Sequence, residues 1–197
     1  MNIVLATRNR KKVEELKRMF PGHKITFKTL DAFPGCPEVE EDGRTFRANA
    51  KKKALTVARY TGCPALADDS GLEVKALDKA PGVFSARYAG EQSDDKRNVK
   101  KILREMRTVI TKKERKARFI CCIVFALPDG KCRTFTGYVN GTIAETPKGY
   151  NGFGYDPIFY PDGHDRTFAE MADLEKDALS HRGRAMKKLY TYLKSIL

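Results

Sequence analysis

The sequence lacks any apolar run approaching the ~18 residues that a membrane span takes. It also lacks a Cys-x-x-Cys pair, a stretch of linker composition and an internal repeat. The first absence excludes a transmembrane helix. The apolar opening Met1 to Ala6 meets Arg8, Arg10, Lys11 and Lys12 too soon for a signal-peptide core, so a cytoplasmic protein with no membrane partner is expected. The cysteines are five, an odd number, and Cys36, Cys63, Cys121, Cys122 and Cys132 lack zinc-ligand spacing. They read as reduced, mostly buried thiols. Without a linker, residues 1–197 read as a single domain.

Acidic residues are also short, 25 against 38 Lys and Arg, for a net charge of +13. An apolar fraction of 41% and an aromatic fraction of 10% nevertheless belong to a chain that folds, and the mean hydropathy of −0.51 reflects the basic residues. The basic surplus raises a nucleic-acid-binding reading in which Lys51–Lys53 and Lys112–Lys116 form a stripe. No RNA- or DNA-binding motif accompanies those lysines, which lie in separate segments, so no stable nucleic-acid partner is expected. A solvated surface suited to small anions is the plainer reading.

Periodicity orders the chain as strand, polar turn and helix at the start: Asn2 to Ala6, then Thr7-Arg8-Asn9, then Val13, Leu16, Met19 and Phe20, stopped by Pro21-Gly22. Ile25 to Leu30 reads as a second strand, and Phe33 to Gly43 as an irregular acidic segment. Thr45 caps a helix with the apolar stripe Phe46, Ala50, Ala54, Val57 and Ala58, closed by Gly62 and Pro64. Ala65-Leu66-Ala67 is a short strand that breaks at Asp68-Asp69-Ser70-Gly71 and resumes over Leu72 to Ala76. Ser93 caps a helix carrying Val99, Ile102, Leu103 and Met106. Phe119 to Leu127 and Cys132 to Ile143 form a hairpin about Asp129-Gly130. A Gly-rich loop, Lys148 to Pro157, precedes a final helix that Ser180 can cap. The expected class is α/β, a long mixed sheet flanked by helices.

Three groups of residues invite chemistry. Asp68 and Asp69 place carboxylates at an apparent strand end, where a divalent cation or an attacked water can be held, and Glu38, Glu40, Glu41 and Asp42 supply further acids. Thr7 to Lys12 lies between strand and helix, where amide N–H groups and the helix dipole favour an anion. His181 and Arg182 sit in the first turn of the last helix, against its dipole, with Lys176 upstream and Phe153 in the Gly-rich loop.

In order along the chain, Val4-Leu5-Ala6-Thr7-Arg8-Asn9 with Lys12, Glu40-Glu41-Asp42-Gly43, Ala67-Asp68-Asp69-Ser70-Gly71-Leu72, Pro81-Gly82-Val83-Phe84-Ser85-Ala86-Arg87-Tyr88, Phe153-Gly154-Tyr155-Asp156-Pro157 and Glu175-Lys176 with Ser180-His181-Arg182 resemble the inosine triphosphate pyrophosphatase family. The resemblance implies two lobes with a central active-site cleft, a homodimer, and hydrolysis of ITP, dITP or XTP to the nucleoside monophosphate and pyrophosphate. It implies that Thr7, Arg8, Asn9, Arg10, Lys11 and Lys12 grip the phosphates with help from Lys176, and that Glu40 and Asp69 hold Mg²⁺. Asp69 is then the general base and Ser70 touches substrate. Phe153, Gly154, Tyr155 and Asp156, with His181 and Arg182, build the base pocket. Arg8 stands where the family usually has Gly, Asp42 where Thr is common, and Ala48 where an acid is common. A pyrophosphatase for other modified or ordinary nucleotides is the rival among enzymes.

Overall fold

The computed structural model describes residues 1–20, 25–90 and 94–196. Six strands are ordered β2-β1-β3-β4-β5-β6 in the sheet. They are β1 (Asn2–Leu5), β2 (Thr26–Lys28), β3 (Ala65–Val74), β4 (Lys116–Ala126), β5 (Cys132–Ile143) and β6 (Phe159–Pro161). The first strand runs parallel to β2 and β3, with Val4 opposite Ala65, whereas β5 and β6 are antiparallel, with Gly141 opposite Pro161. The helices are α1 (Arg10–Arg18), α2 (Phe46–Thr61), α3 (Asp95–Glu105), α4 (Asp173–Leu179) and α5 (His181–Ile196). The expected mixed α/β architecture is therefore present. No described helix is long and apolar enough to cross a membrane, and all five cysteines are free thiols.

Two compact units divide the chain. The first takes in Met1–Asp69, Cys121–Gly137 and the chain from Arg182 onward. Its strands alternate cleanly, as a pleated backbone requires. Ile3, Leu5, Leu66, Ile123 and Phe125 pack with Leu16 of α1 and Ala185, Leu189 and Leu193 of α5. Their strand neighbours Val4, Ala6, Ala65, Ala67, Val124 and Ala126 pack with Ala50, Ala54, Val57 and Ala58 of α2. One sheet face thus meets α1 and α5, and the other meets α2.

The second unit is Ser70–Ile120 with Tyr138–His181. Its core gathers Leu72 and Val74, Ile102 of α3 and Met106 just after it, Phe119, Ile143 and Phe159, with Phe168 and Met171. Arg115 is buried there and donates to the carbonyls of Ile143, Ala144 and Val109, so its charge closes backbone acceptors rather than facing solvent.

Helix starts follow the sequence closely. Asn9 caps α1 by accepting from the Lys12 amide at 3.3 Å, Thr45 caps α2 through the Ala48 amide at 3.1 Å, and Gly62 closes α2 at φ +64°. Asp94 caps α3, while the expected cap Ser93 and the expected stop Pro21-Gly22 lie outside the described residues. Other expectations need correction. The second strand is shorter than Ile25 to Leu30, because Leu30–Ala32 turns into a 3₁₀ segment. β6 and α4 are additional elements, too short to show a period. Most important, β3 does not break at Asp68-Asp69-Ser70-Gly71 but continues from Ala65 to Val74. Intrinsic propensity argues against a strand there, and tertiary partners override it.

A Cβ on Gly141 would lie 2.1 Å from the backbone oxygen of Tyr160, a contact no side-chain rotation relieves. Gly141→Ala should therefore cost about 1–3 kcal/mol, measured as a lower urea midpoint; an unchanged midpoint would show that β6 yields without loss.

Candidate active site

Continuity of β3 sends its two aspartates to opposite faces. Asp68 follows Leu66 toward α1 and α5, where its Oδ2 meets Lys12 Nζ at 3.2 Å and Arg182 Nη2 at 3.0 Å. Arg182 also reaches Glu15 Oε2 at 2.5 Å through Nη1. Asp68 is 1% exposed and Arg182 2%, so these charges are tolerable only as a set. Burial alone would raise the Asp68 carboxyl, but Lys12, Arg182 and Lys53 together overcome it and hold the group ionised, far below the ordinary range. Arg182 answers in kind: burial opposes its charge, and Asp68 and Glu15 more than restore it.

Asp69 follows Ala65 and Ala67 toward α2. Its Oδ2 accepts from Asn49 Nδ2 at 3.1 Å, and Lys53, one turn further along α2, donates from Nζ to Glu41 Oε1 and to the Asp68 carbonyl, both at 2.9 Å. Here burial prevails. It pushes Asp69 up to about 6, helped by the nearby negative charge of Glu41 and opposed by Lys53, Lys12 and the Asn49 hydrogen bond. Lys53 stays firmly protonated, since Asp69, Glu41 and Asp68 outweigh its own burial. The two adjacent acids therefore differ in kind: Asp68 is a fixed anion locked into an ion network, and Asp69 is a carboxylate poised near neutrality. The two side chains thus occupy separate environments on opposite faces of β3.

The Thr7–Lys12 segment belongs to the same unit. Thr7 Oγ1 accepts from the Asn9 amide at 3.2 Å, and the turn delivers the N-terminus of α1 with no acidic residue in its first turn. Arg8, Asn9, Arg10 and Lys11 are exposed, while Lys12 is drawn inward to Asp68. Arg8 turns toward the carbonyl of Cys36, 3.4 Å from its Nη2. Glu40 is exposed, whereas Glu41 is taken up by Lys53 and Asp42 by Lys52 at 2.7 Å.

The Gly-rich loop belongs to the second unit and folds around Asp156. The Phe153 amide donates to Asp156 Oδ2 at 2.8 Å, and Lys176 Nζ lies 2.7 Å from the same oxygen and 4.9 Å from the centre of the Phe153 ring. Gly152 adopts φ +72°, and a Cβ there would stand 2.2 Å from Asp156 Oδ2, so this turn requires glycine. Gly154 donates its amide to Asp95 at 2.9 Å and Tyr155 donates its hydroxyl to the Ser85 carbonyl at 2.8 Å. Tyr155 is thus an anchor beneath the loop. His181 stacks on Phe119, with centroids 4.6 Å apart and planes within 7°. Ser70, half-buried, opens this unit directly after Asp69.

These placements sort the expected residues. Lys176, expected with the phosphate grip, has Asp156 and Phe153 as its partners. Arg182, expected beside His181 on the base, has Asp68 and Glu15. Asn49, Lys53 and Glu15 were missed. Lys53, in a run of lysines that reads as solvated, is 9% exposed and lies in step with Phe46, Asn49 and Val57. Polar residues falling within an apolar stripe were the available signal. Among the described residues no group of three or more His, Cys, Asp and Glu has a metal-binding arrangement.

A mixed α/β sheet carrying a buried carboxylate poised near neutrality, with an anion-receptive helix start in the same unit, defines a protein equipped for acid–base chemistry on an anionic substrate. The Ham1 family model matches residues 3–192, and the chain belongs to that family. Over 191 residues it is 49% identical to the dITP/XTP pyrophosphatase of Geobacter sulfurreducens, covering 97% of this chain and 96% of that one. It is 50% identical over 188 residues to the dITP/XTP pyrophosphatase of Desulforamulus reducens, with coverage of 95% and 93%. The solved HAM1 protein of Coxiella burnetii superposes with a TM-score of 0.91 at 43% identity, over 99% of both chains.

The Asp69 carboxyl, followed by ¹³C NMR in metal-free protein, should titrate near pH 6, being protonated below and ionised above. Replacing Lys53 by Met removes a lowering influence and should move that midpoint upward. A midpoint at the ordinary ~4 would contradict the environment described for Asp69.

Proposed function

We propose that this chain hydrolyses deaminated purine nucleoside triphosphates, ITP, dITP and XTP, to the monophosphate and pyrophosphate, thereby clearing them from the nucleotide pool. The observation that carries the reading is Asp69: a buried carboxylate near neutrality, set by Asn49, Lys53 and Glu41, in a chain about half identical to proteins named dITP/XTP pyrophosphatase. Such a group is suited to take the proton of an attacking water at physiological pH.

In this mechanism Thr7, Arg8, Asn9, Arg10, Lys11 and Lys12, at the start of α1, bind the phosphate chain. Glu40 and Asp69 offer hard carboxylate oxygens, the donor class that Mg²⁺ prefers, and Mg²⁺ needs only one or two such ligands when phosphates and water complete its shell. When bound, Mg²⁺ neutralises charge on the phosphate oxygens. Asp69 removes the proton from water as it attacks the α-phosphorus, and the bond to the bridging oxygen breaks to release pyrophosphate. Ser70 contacts the substrate beside it.

Base recognition falls to residues of the second unit. Phe153 stacks on the purine, while Gly154, Asp156 and His181 meet its polar edge, and Tyr155 and Lys176 hold the loop. Lys176, already paired with Asp156, serves the base loop in this reading rather than the phosphates. Donors aimed at a 6-oxo group are left unpaired against the adenine 6-amino group, a mismatch worth orders of magnitude in discrimination. The homodimer implied by the family resemblance and the cytoplasmic setting expected from the sequence complete the proposal.

Of Lys51–Lys53, Lys52 pairs with Asp42 and Lys53 points inward to Glu41, while Lys116 pairs with Asp162.

A steady-state panel with Mg²⁺ should show pyrophosphate release from dITP, ITP and XTP far above that from ATP and GTP; comparable turnover of ATP would defeat the specificity claim. Asp69→Asn should lose at least ~100-fold in kcat while its circular dichroism is unchanged, and a fully active variant would remove Asp69 from the base role. Lys12→Ala should raise KM roughly tenfold, the equivalent of ~1.4 kcal/mol of binding; an unaltered KM would leave phosphate binding to its neighbours.

A further inference from the structure

Asn49 occupies a position that none of the acid or phosphate roles accounts for. It is a polar residue, 1% exposed, on the face of α2 that otherwise packs through Phe46, Ala50, Ala54 and Val57. Both ends of its amide are used. Nδ2 donates to Asp69 Oδ2 at 3.1 Å, and Oδ1 accepts from the backbone amide of Gly43 at 2.7 Å. Gly43 ends the acidic run Glu40-Glu41-Asp42. A Cβ there would lie 2.5 Å from Asn49 Oδ1 and 3.0 Å from the Ala48 Cβ, so the close approach requires glycine. Lys53, four residues on, grips Glu41 at 2.9 Å from the same helix.

We infer that Asn49 is a positioning residue, one side-chain amide that fixes the rotation of the Asp69 carboxylate and at the same time pins the end of the acidic segment. The inference rests on the proposed pyrophosphatase activity for its kinetic expression only; the geometry is independent of it. The amide suits the task because it presents a donor and an acceptor a fixed distance apart, which neither a carboxylate nor a hydroxyl does at this span. The bond to Asp69 is buried and the bond to Gly43 half-buried, settings where a hydrogen bond of this kind is worth more than at the surface. Through Asn49, motion of the Glu40–Gly43 segment is coupled to the orientation of the group that receives the water proton. Groups that orient an acid or a ligand in this way cost activity when removed although they touch no reacting atom.

The variants Asn49→Ala and Asn49→Asp separate the two halves of the role. Alanine abolishes both bonds. Aspartate is nearly isosteric and keeps an acceptor for Gly43, but puts a second carboxylate where Asp69 had a donor. With dITP and Mg²⁺, both variants should lose about 10–100-fold in kcat, with KM changed less than about threefold because Thr7–Lys12 is untouched. In metal-free protein the ¹³C signal of the Asp69 carboxyl should shift in both. Hydrogen-exchange protection of the Gly43 amide should vanish in Asn49→Ala and persist in Asn49→Asp. If alanine unfolds the protein, the aspartate variant decides on its own. Wild-type kcat in Asn49→Asp, an unmoved Asp69 signal, or a Gly43 amide equally protected without the side chain overturns the inference. A wild-type protein that releases no pyrophosphate sinks the proposed activity instead, and the two NMR signals then judge Asn49 alone.

Discussion

The structure of the first unit depends on β3 remaining a strand while carrying two aspartates through its buried centre. A backbone that continues through Asp68-Asp69 must bury both carboxylates, and only nearby cations and donors make that tolerable. The chain supplies them from three helices. Lys12 of α1 and Arg182 of α5 meet Asp68, and Arg182 is in turn balanced by Glu15 of α1. Asn49 and Lys53 of α2 serve the other face. The ion network is thus a condition for the strand, and the strand's alternation is what makes the two acids unequal.

That inequality is the chemically useful product. Identical residues, adjacent in sequence, acquire opposite protonation tendencies because three cations and no acid outweigh the burial of Asp68, whereas burial and the acid Glu41 outweigh two cations and an amide at Asp69. Separating two carboxylates by environment is a general way to obtain a fixed charge and a working base from the same side chain. Asp68 then acts at a distance: its anion keeps Lys12 and Arg182 in place, and the Asp68 backbone carbonyl keeps Lys53 in place beside Asp69.

Much of this was legible in the sequence. The polar turn at Thr7, the cap at Thr45, the hairpin at Asp129-Gly130 and the mixed sheet follow from local rules that read a few residues at a time. The ordered motifs carried the family. What local rules could not read was the strand itself, because Asp-Asp-Ser-Gly looks like a turn until the cations that stabilise it are known, and these lie far away in sequence at Lys12, Lys53 and Arg182. The same limit hid Asn49, Lys53 and Glu15. The run Lys51-Lys52-Lys53 looks like a solvated face, yet helical spacing from Phe46 through Asn49 to Lys53 and Val57 turns its last member inward. His181 and Arg182, adjacent in sequence, look like one pair, although successive residues at a helix start project in different directions and find different partners.

The network also bears on how an anion is received. Cations that bind phosphate from an exposed surface lose only water, but Lys12 is already 3.2 Å from Asp68, whose charge is itself shared with Arg182. A phosphate approaching the start of α1 therefore competes with a buried carboxylate for one ammonium. The surrounding cations decide the outcome, because Arg182 still compensates Asp68 when Lys12 leans outward, whereas a lone Lys–Asp pair would leave a buried anion unbalanced. Under the proposed phosphate role, redundant compensation of Asp68 would let Lys12 serve both the strand and a ligand, and it gives a physical reason for Glu15, which stabilises the arginine that holds Asp68.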